Sequence, residues 1–197
     1  MTSAAILAGG HARRLGGRDK SQITVGGRTI LERQLDALHG LVTRILLIGY
    51  PGTAPGPGTV TVVPDRTPEH GPLGGLDAAL VAAGDDHVLL LACDMPHVTR
   101  PFLEYLVGQA GSADAVVPET ERGYHPLCAV YAQSSRPAVE RRLRDGRLKM
   151  VDLLADLRVQ IVTQADMERF GDTRLLLANV NTHADLAVLD SLQGHNA

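Results

Sequence analysis

Ala4-Ala5-Ile6-Leu7-Ala8-Gly9-Gly10-His11-Ala12-Arg13-Arg14-Leu15-Gly16-Gly17-Arg18-Asp19-Lys20 is the stretch whose reading decides the fold. Its first five residues form a short apolar run of the kind that fills a strand buried on both faces of a parallel sheet. The run breaks at Gly9-Gly10 and is punctuated again at Gly16-Gly17. Glycines there let the backbone pass close to a bound group and adopt conformations that other residues avoid. Successive N–H groups of such a loop make an anion nest, and Arg14 and Lys20 add fixed positive charge where a polyphosphate would lie. Two better-known phosphate loops are absent. Gly17 is not followed by Lys and Lys20 is preceded by Asp19, so GxxxxGK[ST] does not occur, and no GxGxxG follows the strand.

Working outward, strands and helices alternate. A helix is predicted over Thr29–Leu38, with Thr29 and Glu32 at capping-box spacing. Arg44–Ile48 and Thr59–Val63 read as strands, separated by the Pro- and Gly-rich surface segment Pro51 to Gly58. A helix over Leu73–Ala83 precedes the buried strand His87–Ala92. A further helix over Pro101–Gln109 has its proline where a missing N–H costs nothing. Asp114–Val117 and Leu127–Tyr131 are strands, Arg136–Arg144 and Met150–Leu157 helices, Arg158–Thr163 a strand, and a last helix starts near Thr182. This order predicts an α/β protein, residues 1–197 forming a single three-layer domain with a mainly parallel sheet. Ligands of such sheets bind beyond the carboxyl ends of the strands, so the loops that follow strands are the ones to search.

Composition narrows the function. The chain has 197 residues, 44% hydrophobic, which suits a packed core. Aromatics make up 3%, without Trp, so no aromatic platform exists for single-stranded nucleic acid. A formal net charge of −3 does not suit a general polyanion binder. No apolar run nears the roughly 18–20 residues of a membrane span. Cys93 and Cys128 make no CxxC pair, which fits a reducing compartment, and cytoplasm is the expected location. The histidines show no ligand spacing for zinc, and no GxSxG elbow is present.

Three further segments carry candidate site residues. Cys93-Asp94-Met95-Pro96 places a carboxylate at the end of the most hydrophobic strand. Mg²⁺ favours such a site, taking one or two carboxylates plus substrate phosphates. The plainer alternative is a turn or a cap for the helix near Pro101, for which Thr99 is better placed. Pro64-Asp65 ends another strand, and Gly71-Pro72-Leu73-Gly74-Gly75-Leu76 allows close approach to the next helix or is simply a tight turn. In Asn179-Val180-Asn181-Thr182, Thr182 resembles a helix N-cap, and Asn179 and Asn181 are left as candidate ligands for a metal or an acceptor.

LAGG…RLGG with Asp19-Lys20, GPLGGL, CDMP and NVNT, in that order, resemble the molybdenum cofactor guanylyltransferase (MobA) family of the nucleoside-diphosphosugar transferase-like superfamily, from Leu7 to about Leu186. Arg147-Leu148-Lys149-Met150 is similar to the family's basic segment before the acceptor-site helix. The resemblance implies a Rossmann-like nucleotidyltransferase fold, with the nucleotide held by the N-terminal half and the acceptor by the C-terminal half. It implies transfer of GMP from GTP to molybdopterin, with Mg²⁺ as cofactor and Mn²⁺ able to substitute. Leu7, Ala8, Gly9 and Gly10 would contact the nucleotide, Asp65 the nucleoside, and Gly75 the nucleotide through its close approach. Arg14 and Lys20 would hold the leaving pyrophosphate, Asp94 the metal, and Asn179 and Asn181 the acceptor. Transient contact with molybdopterin-delivering or molybdoenzyme-chaperone proteins is implied, with no nucleic acid and no membrane as partners. Where members often carry an Asn, this chain reads Ile48-Gly49-Tyr50. A related cytidylyltransferase, a sugar-phosphate nucleotidyltransferase and a non-catalytic nucleotide-binding module are the alternatives. The last predicts loss of Asp94 or Lys20, and both are present.

Overall fold

A computed structural model of the chain describes residues 1–9, 11–12, 18–19, 23–55, 58–65, 68–84, 87–180 and 185. In chain order the strands are β1 (Thr2–Leu7), β2 (His11–Ala12), β3 (Arg18–Asp19), β4 (Thr24–Val25), β5 (Arg28–Thr29), β6 (Ile45–Ile48), β7 (Val60–Val63), β8 (His87–Ala92), β9 (Ala115–Thr120), β10 (Gly123–Tyr124), β11 (Cys128–Ala132) and β12 (Val159–Val162). The helices are α1 (Ile30–Leu38), α2 (Gly71–Ala83), α3 (Arg100–Gly108), α4 (Arg136–Arg144), α5 (Met150–Leu153), α6 (Gln164–Met167) and α7 (Thr173–Leu176).

An eight-stranded sheet runs in the order β10-β9-β11-β8-β1-β6-β7, with β12 added beside β9. β7, β6, β1 and β8 are mutually parallel, and β12 is parallel to β9. β11 enters between β8 and β9 antiparallel to both. The sheet is thus mostly parallel, as the apolar runs predict, with two reversed strands, β11 and the edge strand β10, that they do not reveal. Within the glycine-rich segment, β2 and β3 pair antiparallel as a small ladder, His11 beside Asp19 and Ala12 beside Arg18.

The strands are apolar on both faces because each face meets a core. From β8, Leu89 and Leu91 pack with Ile6 and Leu47 against α1 and α3 (Leu31, Leu38, Phe102, Leu103). Val88 and Leu90 face the other way with Ala5 and Leu46, toward α2 and α4 (Leu73, Leu76, Leu80, Val139). Each of these fully buried leucines contributes roughly 1.5–3 kcal/mol relative to exposure. The result is three layers, helix, sheet and helix.

Local signals mostly set the helix ends. Thr29 caps α1 in the full reciprocal box: the Glu32 amide donates to its hydroxyl, and its own amide donates to Glu32 Oε2 at 2.8 Å. Thr99 stands at the N-cap of α3, but its hydroxyl makes no capping bond. The expected helix Met150–Leu157 is shorter: α5 stops at Leu153 and a 3₁₀ turn, Leu154–Asp156, follows. There Asp156 accepts from Nε of the buried Arg142 at 2.6 Å. The expected helix from Thr182 lies outside the described residues except at Asp185. No helix among the described residues is long and apolar enough to cross a membrane.

Candidate active site

The carboxyl ends of β7, β6, β1 and β8 lie side by side. With neighbouring strands about 4.8 Å apart, Asp65 after β7 and Asp94 after β8 are separated by about 14 Å along this edge. Gly9 and Gly49 stand between them. Gly49 adopts φ +68°, and a Cβ there would lie 3.0 Å from Gly9 Cα and 3.4 Å from Asp65 Cβ. Two main chains touch at this point, which only glycine permits. The Ile48 carbonyl accepts from both Ala8 N–H (2.9 Å) and Gly9 N–H (3.0 Å). The main-chain groups that Ala8 and Gly9 can turn toward a ligand are therefore carbonyl oxygens.

Asp94 is held at its backbone from several directions. The Ala92 amide donates to Leu127 O at 2.8 Å and the Cys93 amide to Leu7 O at 3.3 Å. The Val180 amide donates to Asp94 O at 2.8 Å. Val180, 0% exposed, packs with Val25 and Ile30, and Ile23, Leu175 and Ala178 pack against that cluster. One small apolar cluster and one hydrogen bond thus join the arm that follows the glycine-rich segment, the Asp94 turn and the segment bearing Asn179.

Asp94 is only 9% exposed. Among the described residues no group of three or more His, Cys, Asp or Glu could hold a metal by itself. One hard carboxylate without a protein cage fits a cation that brings phosphate and water oxygens as its other ligands.

A mostly apolar cavity of about 430 Å³ adjoins this turn. Met95, Pro72 at the start of α2, Asn179, Leu148, Lys149 and Met150 line it, with Tyr124 to Cys128 along another side. A second, more polar cavity of about 310 Å³ lies between Arg122, Gln164, Thr173 and Arg174. His125 lines both. Its ring is pinned by a 2.9 Å hydrogen bond between Nε2 and Thr120 Oγ1, and its amide donates to Pro118 O. Burial, helped by the nearby Arg122, pulls its pKa below the usual histidine value, so the ring is neutral near pH 7. The turn is anchored further by the buried Tyr131 hydroxyl, which donates to Pro126 O at 2.8 Å. Burial alone drives the Cys128 thiol up to about 12, which keeps it protonated and unreactive.

Of the residues singled out in the sequence, Leu7, Ala8, Gly9, Asp65, Asp94 and Asn179 all lie along this edge or its cavity. Gly75 is buried in α2, and a methyl there would come within 2.6 Å of the Leu7 side-chain tip, so its smallness serves helix–sheet contact. Gly10, Arg14, Lys20 and Asn181 lie outside the described residues. The sequence did not single out Gly49, Met95 or His125 as site residues. Gly49 had a readable signal, since it directly follows an apolar strand.

The model of the MobA-like NTP transferase domain matches residues 4–161. A probable molybdenum cofactor guanylyltransferase from Pelotomaculum thermopropionicum is 33% identical over 92% of this chain and 88% of its own length. A molybdenum cofactor guanylyltransferase from Desulfosudis oleivorans is 29% identical over 92% of this chain and 90% of its own length. Among solved structures, the molybdopterin-guanine dinucleotide biosynthesis protein A of Archaeoglobus fulgidus superposes with a TM-score of 0.77 at 24% identity, covering 98% of this chain and 99% of that one. The 2-C-methyl-D-erythritol 4-phosphate cytidylyltransferase of Thermus thermophilus gives 0.70 at 19% identity, covering 97% and 98%. At these identities the structural likenesses carry the fold alone.

Proposed function

We propose, from the premise that this chain belongs to the MobA-like NTP transferase family, that it transfers GMP from GTP to molybdopterin, forming the guanine dinucleotide cofactor and pyrophosphate. The observation that carries the reading is the seam at the sheet edge. The Val180–Asp94 hydrogen bond and the Val25–Ile30–Val180 cluster draw three separate motifs together where a nucleotide would lie.

The reaction needs little covalent help. A phosphate oxygen of molybdopterin attacks the α-phosphorus of GTP, one P–O bond forms, the bond to the β-phosphate breaks, and pyrophosphate leaves. The phosphate nucleophile is ionised near pH 7, so no general base is required. The protein's task is alignment and the neutralisation of growing negative charge. Asp65 takes the nucleoside end and Asp94 the phosphate end of the roughly 14 Å edge. The main chain of Leu7, Ala8, Gly9 and Gly10 lies against the nucleotide. Carbonyl oxygens at Ala8 and Gly9 suit a base edge rich in N–H donors, such as guanine's. Gly75 lets α2 close on β1 beside it. Arg14 and Lys20 hold the departing pyrophosphate. The family acts with a divalent cation, here assigned as Mg²⁺ with Mn²⁺ able to replace it, bound by Asp94; the ion supplies charge neutralisation on the phosphate oxygens. Asn179 and Asn181 would bind the acceptor, and Asn181 would serve as a further ligand for the metal.

The apolar cavity beside Asn179 suits a flat heterocycle carrying a phosphate tail. Residues 1–197 thus act as one domain, nucleotide in the N-terminal half and acceptor in the C-terminal half. The enzyme works in the cytoplasm, meeting molybdopterin-delivering or molybdoenzyme-chaperone proteins transiently.

Incubation with Mg²⁺, molybdopterin and each of the four NTPs in turn tests this. GTP should yield the dinucleotide, and Asp94→Ala or Lys20→Ala should cut its formation by orders of magnitude with the fold intact. Product from CTP alone would overturn the base assignment, and no product from any NTP would overturn the transfer.

A further inference from the structure

Helix α1 carries two adjacent polar side chains that reach different parts of the site. Arg33 donates to Val25 O from Nε (3.0 Å) and Nη2 (2.6 Å), holding the arm that follows the glycine-rich segment. Gln34, 0% exposed, donates from Nε2 to Ala92 O at 2.7 Å and to Met95 O at 3.2 Å. These carbonyls bracket Asp94 in sequence. A buried amide in an apolar layer is costly unless it is bonded. Both protein bonds of this one go to the turn that bears the metal-holding carboxylate, and its Oε1 has no hydrogen-bond partner among the described residues.

We propose that Gln34 is a positioning residue for the cation–triphosphate site. Resting on the nucleotidyl-transfer reading above, the inference is that the Gln34 amide fixes the Asp94 turn relative to the arm held by its neighbour Arg33. Helix α1 then sets the gap that the metal-bound phosphates must fill. Groups that orient a metal ligand without touching the metal typically change its affinity by 10–100-fold when removed.

The test is Mn²⁺ binding to the full chain, read from the EPR signal of free Mn²⁺, with whichever nucleoside triphosphate raises the parent's Tm most. Gln34→Met, close in volume, should melt cooperatively yet bind Mn²⁺ at least about tenfold more weakly. Gln133 donates to Leu80 O at 2.8 Å, away from the Asp94 turn. Gln133→Met should therefore lower Tm and leave Mn²⁺ affinity at the parental level. Parental affinity in Gln34→Met, or an equal loss in Gln133→Met, would overturn the assignment. If Gln34→Met does not fold, Gln34→Leu, which also removes both donors and adds no ionisable group, is read in the same titration against the same two outcomes. A parent that binds no Mn²⁺ with any triphosphate would sink the nucleotidyl-transfer reading itself, and this inference with it.

Discussion

Gly49 shows how a single residue can be decisive without carrying a side chain. Its φ of +68° costs other residues roughly 1–2 kcal/mol, and a Cβ would press on Gly9 Cα at 3.0 Å. Gly49→Ala should therefore lose at least about 1–2 kcal/mol in denaturant unfolding and weaken nucleotide binding by calorimetry. An unchanged binding constant would show that the Gly9–Gly49 contact is structural only. Asp94 was legible in the sequence because it ends the most hydrophobic run. Gly49 was half legible, since its need for glycine arises from the register that sets Leu7 beside Ile48 on the neighbouring strand. Gln34 was not legible, because a glutamine on an amphipathic helix ordinarily reads as surface.

At the scale of elements, the strands and main helices stood in the sequence because burial on both faces leaves continuous apolar runs. Strand direction leaves no such trace, and the reversal of β11 is visible only in the pairing. The far edge of the sheet depends on a polar stitch. Asp114 accepts from the Arg158 amide, Nε and Nη2 and from the Ser134 hydroxyl, joining the starts of β9 and β12 to the turn before α4. Hydrogen bonds from Arg158 and Ser134 hold its carboxyl well below the usual aspartate range. A carboxyl more acidic in the folded than in the unfolded chain adds stability above the unfolded value, near pH 4, that is lost as pH falls toward the folded one. Asp114→Asn should cost about 1–2 kcal/mol at pH 7, with the deficit shrinking below about pH 4 in urea titrations. A pH-independent deficit would refute the charged stitch.

Across the whole molecule, two cores sandwich the sheet while a third, smaller cluster of Val25, Ile30 and Val180 closes the site from the side. Val180→Ala should cost about 1.5 kcal/mol, judged by the methyl groups removed. It should also raise the acceptor KM more than the nucleotide KM and speed exchange of the Val180 amide; equal effects on both KM values would refute a role confined to the acceptor side. The bond from that amide to Asp94 O is made wholly of main-chain atoms. Whatever side chain stands at 179, the joint survives, so substitutions that probe the proposed acceptor contact at Asn179 leave the Asp94 turn tethered.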